Sequence, residues 1–366
     1  MSGNAAHGRA GNRSRGARSL VPPLAADALS QILLRYRPAL EEELAANLSG
    51  RESPLYDMMR YQLGWIDAEG RQLRAEGGKS LRSGLCLLAC ESAGGDYHAA
   101  LPAAAAVELL HNFSLIHDDI EDASPERRRR PTVWRLWGEA QAINAGDGMF
   151  ALSRLALLRL HERGVPAEMV FALAKRFDEG CLALCEGQFL DVEYEKRSGV
   201  DVDAYLAMIA KKTAALIEWA AYAGAALGSD DAATVDALCR YGCALGIAFQ
   251  MRDDVLGIWG EQESTGKPVM EDIVMRKKSL PVVYALSRSA DGQAELARLY
   301  AQPRLDDDEA RQAAALIGQL GGKEFAQQQV SRYCAQAVTE LRTACLTERG
   351  RHDLESLAAC LQEREH

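Results

Sequence analysis

Apolar residues recur at helical spacing along most of the chain. From about residue 25 onward, runs rich in Ala and Leu are separated by short segments that contain Gly, Pro or Asp. Ala and Leu favour helices, and apolar positions that repeat every three or four residues form one helix face. The pattern predicts helices over residues 25–48, 53–69, 79–94, 98–122, 132–145, 147–163, 167–193, 201–227, 231–260, 278–290, 307–318, 322–346 and 350–363.

Two central stretches, residues 213–227 and 235–250, are apolar on nearly every side. A helix of this kind lies inside a larger helical fold. Strand signals are scarce, and no sequence repeat occurs at the periods typical of solenoids. The sequence therefore predicts an all-α fold, a large bundle in which residues 21–366 form one domain.

Composition narrows the class of protein. The chain has 366 residues, 48% of them hydrophobic, which is enough for a large core. Its net charge of −10 argues against general nucleic-acid binding, which needs a basic surface. Residues 1–20 are rich in Gly, Ser, Ala and Arg and lack the apolar run of a signal peptide, so we expect a disordered basic tail. Charges interrupt each apolar run before the roughly 18 residues needed to span a bilayer, so no transmembrane segment is predicted.

The nine cysteines form neither a redox pattern nor a zinc pattern. Six of them stand as i,i+4 pairs in apolar helical runs, at positions 86/90, 181/185 and 239/243, without CxxC spacing or flanking histidines. Such thiols fill contacts between helices. This usage suits a reducing compartment, so we expect a cytoplasmic protein.

Two aspartate-rich motifs, residues 118–122 (DDIED) and 253–257 (DDVLG), lie in helical runs. Residues four apart on a helix point within about 40° of each other and are about 6 Å apart, so Asp118 and Asp122 share a face. Mg²⁺ prefers such hard oxygen ligands, keeps several waters and completes its coordination with phosphate oxygens. The motifs predict two walls of a metal-diphosphate site, although either motif alone is also compatible with a solvated acidic face.

Basic residues recur near both acidic motifs. Residues 77–82 (GGKSLR) place two cations in the first turns of a helix, where the helix dipole favours anions. Residues 127–130 (RRRR) follow the first acidic motif, and residues 266–268 (GKP) and 277–278 (KK) follow the second. A single cluster of this kind is commonly a solvated surface charge. Their recurrence predicts countercharges for an anionic ligand.

In this order the motifs resemble those of trans-isoprenyl diphosphate synthases, the polyprenyl synthetase family, and in particular bacterial geranylgeranyl diphosphate synthases. The resemblance extends from about residue 50 to 345 and includes residues 187–191 (GQFLD), 212–213 (KT) and 249–250 (FQ). It implies the helical isoprenoid synthase fold with a central cavity, a homodimer and three Mg²⁺ ions per active site. The implied reaction ionises an allylic diphosphate, condenses it with isopentenyl diphosphate and eliminates a proton, which the released diphosphate accepts.

The resemblance also implies a role for each matching residue. The implied metal ligands are Asp118, Asp122 and Asp253, with Asp119 and Asp254 in supporting or water-bridged positions. The implied ligands of the allylic diphosphate are Arg127, Lys212 and Lys267, with Thr213, Gln250 and Lys277 also at the substrate. The implied ligands of isopentenyl diphosphate are Lys79, Arg82, His111 and Arg128. Catalysis would depend on Asp118, Asp122, Asp253, Lys212 and Arg127. His111 lies seven residues before Asp118, two helical turns away on the same face.

Three positions depart from the family pattern: Ser80 stands where Arg is common, Ser83 where Pro is common, and Gly257 where the second motif usually ends in Asp. An aspartate at position 257 would share a helix face with Asp253. We therefore expect weaker or differently hydrated metal binding on the second wall.

Product length is predicted from the residues before the first motif. In this family an aromatic residue at the position of Phe113 stops the growing chain, and a small residue at the position of Ser114 leaves some depth. Helix phase supports this in part, because Ser114 points within about 40° of Asp118 whereas Phe113 points about 140° away. We expect geranylgeranyl diphosphate (C20), with farnesyl diphosphate or a longer product as alternatives and an ordinary core role as the alternative for Phe113.

Other classes of protein fit less well. A terpene cyclase of the same fold would not need isopentenyl diphosphate, so the retention of Lys79, Arg82 and Arg128 argues against it. A non-catalytic synthase subunit would be expected to lose carboxylates from the first motif, which retains all three aspartates. An unrelated helical scaffold would leave the ordered motifs unexplained.

Overall fold

The computed structural model describes residues 31–73, 80–197, 199–260, 270–288, 291–302 and 304–363. The predicted basic tail (residues 1–20), Lys79 and Lys267 lie outside the described residues. The assignment of residues 21–366 to one domain stays a prediction.

Helices form most of the described chain. The first half contains α1 (Arg37–Leu48), α2 (Pro54–Gln62), α3 (Leu81–Ser92), α4 (Leu101–Glu121), α5 (Val133–Trp137), α6 (Glu139–Glu162) and α7 (Ala167–Lys196). The second half contains α8 (Val202–Ile209), α9 (Ala215–Gly228), α10 (Ala232–Trp259), α11 (Glu271–Val274), α12 (Leu280–Ser287), α13 (Gln293–Tyr300), α14 (Asp307–Gln319), α15 (Gly322–Glu340) and α16 (Glu348–Glu363). Two strands, β1 (Glu126–Arg127) and β2 (Arg130–Pro131), form an antiparallel hairpin after α4. The predicted all-α class is confirmed.

The helix boundaries differ from the predicted ones at two glycines. Residues 132–145 and 147–163 were predicted as separate helices, but the chain breaks at Gly138 and continues through Gly146. Gly138 has φ +83°, a conformation that favours glycine and ends α5. Gly146 stays helical, and a side chain there would come within 2.3 Å of His117 Nε2. Gly146 therefore serves close packing between α4 and α6, and sequence spacing alone does not distinguish these two uses of glycine.

Three further elements were not predicted, one of which is the short helix α11 in a segment left unassigned. The hairpin formed by β1 and β2 occupies the arginine-rich segment, and α13 occupies a segment left unassigned. The predicted helix over residues 201–227 is interrupted by a π-helical turn at Ala210–Ala214. Hairpin and π turn both lie at motifs with predicted functional residues.

Small residues let the central helices approach closely. Helix α4 packs between α3 and α6, and α10 packs against α9 and α15. A Cβ atom at Gly224 of α9 would lie 2.0 Å from the backbone oxygen of Cys86 in α3. The alanine-rich composition thus produces close backbone contact as well as helical propensity.

Two helical stretches are long and apolar enough to cross a membrane by length and composition: residues 97–121 and 232–259. In the first, 83% of the most apolar window is buried inside the protein, and in the second, 50%. Burial of this extent is typical of core helices that pack on other helices. Their position inside the bundle accounts for their composition.

The C-terminal helices add a smaller hydrophobic cluster, whose members include Ile258, Ile273, Val282, Leu299 and Ile317. Ile258 belongs to α10, which carries the second acidic motif, and the other members come from α11 to α14. The cluster therefore fixes the segment around Lys277 and Lys278 against α10.

We expect Gly224→Ala to lower the free energy of unfolding by about 1–3 kcal/mol, because the new methyl group meets rigid backbone. Gly318→Ala is the matched control, since nothing lies within 4 Å of a Cβ at that position. The control is expected to be neutral or to stabilise by about 0.5–1 kcal/mol. Urea unfolding of both variants measures the difference, and equal effects would contradict the role of close packing.

Candidate active site

The first acidic motif lies at the C-terminal end of α4, where its aspartates divide into two orientations. Asp118 and Asp122 are partly exposed, whereas Asp119 is only 2% exposed. Arg127 Nε of β1 donates to Asp119 Oδ1 at 2.8 Å. Burial raises the pKa of Asp119 to about 6, and Arg127 acts in the opposite direction. Asp119 thus anchors the hairpin to α4.

The hairpin turns through two arginines in the left-handed conformation. Arg128 and Arg129 have φ of +53° and +60°. Two-residue hairpin loops favour this conformation, but Asn and Gly usually supply it, so arginines there are strained. Arg130 Nη1 and Nη2 donate to the carbonyl oxygens of Tyr61 and Ile66 at 3.1 and 2.8 Å. These bonds, with the Asp119–Arg127 pair, hold the strained turn in place.

Arg82, His111 and Arg128 form a basic pocket between α3, α4 and the hairpin. Arg82 Nη1 lies 3.2 Å from His111 Nε2. A guanidinium can only donate, so Nε2 accepts and the ring proton is on Nδ1. Burial lowers the pKa of His111 well below its usual value, and the charges of Arg82 and Arg128 lower it further. The structure thus brings together three of the four residues that the resemblance assigned to isopentenyl diphosphate, with a neutral histidine among them.

The second acidic motif shows the same division. Asp253 is exposed, and Asp254 is only 6% exposed. Asp254 Oδ2 accepts from the Tyr205 hydroxyl and, at 2.8 Å, from the backbone N–H of Leu280, while Oδ1 accepts from Gln250 Nε2 at 2.9 Å. Burial raises the pKa of Asp254 to about 7, and these hydrogen bonds oppose the shift. The carboxylate is directed into the protein and joins α8, α10 and α12.

The π turn presents Lys212 and Thr213 to these walls. Thr213 Oγ1 donates to Gln250 Oε1 at 2.7 Å, which extends the hydrogen-bond chain from Asp254. A Cβ at Gly187 of α7 would lie 2.2 Å from the backbone nitrogen of Lys212. Only glycine therefore allows α7 to approach the π turn so closely. A single π turn within an α-helix is common at functional sites.

Two partly buried lysines lie among the carboxylates. Lys212 Nζ is 2.5 Å from Asp191 Oδ2, and Lys277 Nζ is 2.7 Å from Asp122 Oδ2. Burial acts to lower both pKa values, but the carboxylates outweigh it and raise them: Asp118 and Asp191 for Lys212, Asp122 and Asp191 for Lys277. Both lysines stay charged. Sequence reasoning gave no role to Asp191, although it ends the GQFLD motif.

The carboxylates fit divalent metal ions that bind together with a phosphorylated substrate. Burial lowers the pKa of Arg82, and the charges of Glu108, Asp253 and Asp118 oppose this, so carboxylates of both acidic motifs lie near Arg82. Across the described segments, no three His, Cys, Asp or Glu side chains converge to form a ready-made metal cage. Mg²⁺ retains several waters and takes phosphate oxygens, so separated carboxylate donors suit it.

Gly257 is closely packed against another carboxylate. A Cβ at this position would lie 2.1 Å from Asp272 Oδ2. Burial acts to lower the pKa of Lys277, and Asp272 is one of the carboxylates that raise it instead. Asp272 therefore fills the space that a side chain at position 257 would take. The expectation of weaker metal binding on the second wall stays a prediction.

Phe113 packs in an aromatic group on α4 and α6. Its ring centroid is 4.9 Å from His117 and 5.5 Å from Phe150. Ser114 is buried, and its Oγ donates to the carbonyl oxygen of His111 at 2.8 Å. Phe113 and Ser114 thus lie one to two turns before Asp118, between the basic pocket and α6.

Comparisons with known proteins agree with this arrangement. The polyprenyl synthetase family model matches residues 64–317. A geranylgeranyl diphosphate synthase of Mycobacterium tuberculosis is 39% identical over 320 residues, 87% of this chain and 90% of the relative. A (2E,6E)-farnesyl diphosphate synthase of the same organism is 38% identical over 312 residues, 84% of this chain and 86% of the relative. The crystal structure of a polyprenyl synthetase from Streptomyces coelicolor matches with a TM-score of 0.83 and 36% identity, covering 91% of this chain and 99% of the other.

The chain belongs to the polyprenyl synthetase family and is an isoprenyl diphosphate synthase, an enzyme that transfers prenyl groups. The predicted family and enzyme class are confirmed. Members of this family bind diphosphate with divalent metal ions.

We expect Gly257→Asp to weaken metal binding instead of restoring the second motif, because the new side chain displaces Asp272. The Mg²⁺ concentration for half-maximal activity should rise about tenfold, as for other changes that disturb residues supporting a metal site. Titration of activity with Mg²⁺ measures the change. Gly257→Ala is the matched control, since it displaces Asp272 without adding a carboxylate and should also raise the requirement. A lower Mg²⁺ requirement in Gly257→Asp would support the original expectation of a missing ligand.

Proposed function

We propose that this prenyltransferase condenses isopentenyl diphosphate with allylic diphosphates and releases geranylgeranyl diphosphate (C20). The observation that carries the proposal is the pair of adjoining anion sites. One combines Asp118 and Asp122 of the first acidic motif and Asp191 of α7 with Lys212 and Lys277. The other is lined by Arg82, His111 and Arg128, two basic groups and a neutral one. Two diphosphates of different chemistry suit these two environments.

The mixed site is proposed to bind the allylic diphosphate. Asp118, Asp122 and Asp253 would hold three Mg²⁺ ions, which neutralise the charge that grows on the departing diphosphate. Asp119 and Asp254 would orient the walls through their protein partners. Lys212 and Lys277 would exchange their carboxylate partners for diphosphate oxygens. Thr213 and Gln250 would fix the edge of this site, where Arg127 and Lys267 are also expected to contribute.

The basic pocket is proposed to bind isopentenyl diphosphate. Arg82 and Arg128 would contact the diphosphate with Lys79, and neutral His111 would donate a hydrogen bond without adding charge. A diphosphate held here places the double bond of the substrate beside the allylic carbon in the neighbouring site. The apolar residues of α4 exclude water from the cation. The inorganic diphosphate released from the allylic substrate is the proposed acceptor of the final proton.

The C20 product is proposed from the aromatic group at Phe113. The two relatives from M. tuberculosis differ in product, yet their identities to this chain are 39% and 38%, so overall similarity does not select a length. Phe113 packs on Phe150 of the adjacent helix α6, and we propose that the two rings together stop the growing chain. Ser114 is small and buried, so its side chain takes up little room beside Phe113.

We also propose a cytoplasmic homodimer. Large apolar side chains are exposed on the neighbouring helices α6 and α7: Leu155 50%, Leu158 53%, Phe171 81%, Leu182 64% and Phe189 67%. Exposed apolar patches of this kind mark protein interfaces. A second copy of the chain can cover them symmetrically.

The function is tested by incubating the protein with Mg²⁺, labelled isopentenyl diphosphate and one allylic primer of C5, C10 or C15, followed by sizing of the products. We expect elongation of each primer to C20. Asp118→Ala is the inactive control, because it should abolish turnover while the circular dichroism spectrum and the melting temperature stay near those of the wild type. Absence of elongation with every primer would refute the proposal, and cyclised hydrocarbons from a longer diphosphate would indicate a cyclase.

We expect Phe113→Ala to lengthen the main product beyond C20, because loss of the ring opens the space toward Phe150. Chromatography of the dephosphorylated products measures the chain length. Phe177→Ala is the control, since Phe177 is buried against Trp219 and does not belong to the aromatic group at Phe113. An unchanged C20 product in Phe113→Ala would assign this residue an ordinary role in the core.

A further inference from the structure

A buried carboxylate lies next to the basic pocket and has no role in the reaction described above. Glu108 of α4 is 6% exposed. Its Oε2 accepts a hydrogen bond from Ser83 Oγ of α3 at 2.6 Å, and its Oε1 lies 3.4 Å from Asn112 Nδ2. Both partners are neutral, so neither cancels the negative charge of Glu108.

Two contacts place Glu108 near Arg82: Ser83, which donates to Glu108, directly follows Arg82 in the chain, and His111, one turn after Glu108 on α4, lies 3.2 Å from Arg82 Nη1. The arginines of the pocket provide the opposite charge. Burial lowers the pKa of Arg82, and Glu108 opposes this more strongly than any other carboxylate. The same order holds for Arg128. Arg82 Nε is buried without a hydrogen-bond partner among the described residues. Arg82 is partly buried, whereas Arg128 is exposed. A guanidinium with a buried, unpaired nitrogen such as that of Arg82 is unfavourable without a compensating charge, and Glu108 supplies it before a ligand arrives.

We propose that Glu108 is an internal counter-ion that keeps Arg82 and Arg128 in place in the empty pocket and weakens the pocket's hold on a bound diphosphate. The proposal rests on the proposed function, which assigns this pocket to isopentenyl diphosphate. Glu108 acts through the arginines and is a positioning residue. A diphosphate that enters the pocket must share the arginines with the carboxylate of Glu108. The two anions repel each other, and this repulsion should weaken the affinity for the diphosphate about tenfold.

A weaker hold has a use in repeated elongation. After condensation the diphosphate of the product is the one that entered with isopentenyl diphosphate, so it lies in the basic pocket. It must move to the acidic walls before another unit can be added. A counter-ion in the pocket favours this transfer. Ser83 fixes the orientation of the counter-ion, which the proline common at this position in the family could not do, because proline has no donor side chain.

Glu108→Gln tests the proposal, because it removes the charge and keeps the size of the side chain. Calorimetric titration with isopentenyl diphosphate, without an allylic substrate, measures affinity, and thermal unfolding with and without this ligand measures stability. We expect a lower melting temperature for the empty variant, about tenfold tighter binding, and a larger rise in melting temperature on binding. In elongation from the C5 primer, the variant should accumulate products of a single addition.

Glu43→Gln is the matched control. Glu43 of α1 is also a buried glutamate between two arginines, paired with Arg159 at 3.0 Å and with Arg163. It belongs to neither of the two anion sites. Its variant should lose stability in the same way, but its affinity for isopentenyl diphosphate should equal that of the wild type.

The outcomes separate the two levels of inference. Unchanged or weaker binding by Glu108→Gln would overturn the counter-ion proposal and leave the proposed pocket intact. Failure of isopentenyl diphosphate to bind the wild type would overturn the pocket assignment, and with it the role of Glu108. If Glu108→Gln does not fold, Glu108→Asp replaces it, because the shorter side chain withdraws the charge from the arginines and should tighten binding to a smaller extent.

Discussion

Opposite charges that neutralise one another between the acidic motifs and the basic residues around them are the interaction on which this structure depends. Lys277 pairs with Asp122, Lys212 with Asp191, and Arg127 with Asp119. The first of these pairs joins residues 155 positions apart in the chain, and the second joins α7 to the π turn. The three pairs are largely shielded from water, so removal of one partner leaves the other charge poorly compensated, and the pairs thereby hold their elements together. They also hold together the cations and carboxylates that a metal-diphosphate complex requires.

Each acidic motif needs two consecutive aspartates for a geometric reason. Successive residues on a helix point about 100° apart, so two neighbouring carboxylates cannot both face the same cavity. In each motif the first aspartate is accessible and the second is buried with a fixed partner. Asp119 holds the hairpin that carries Arg128, and Asp254 holds α8 and the start of α12, which follows Lys277 and Lys278. The inward aspartates thus position the basic groups that face the outward ones.

Much of the fold followed from periodicity, because helix faces and the order of the motifs are local properties of the sequence. Helix phase placed His111 on the same face as Asp118, and in the structure its Nε2 lies 3.2 Å from Arg82 Nη1. Helix phase did not reveal Tyr205, which lies 49 residues before its partner Asp254. Glu108 was missed for a similar reason, since a glutamate in an apolar helix has no visible partner until α3 is packed against it. Such residues become evident only when two helices are brought together.

The remaining errors share a physical cause, which is that the site is positioned where the helical pattern is interrupted. Arginine in the left-handed conformation at Arg128 is locally unfavourable, and it persists because the bonds of Arg127 and Arg130 fix both sides of the turn. The π turn at Lys212 inserts an additional residue into one turn of helix, so residues before and after it present different faces. Gly187 makes the close approach to that turn possible. Periodicity locates the regular helices that carry the acidic motifs. The basic residues between them are positioned by these irregular contacts, which form between segments distant in sequence and therefore leave no local pattern.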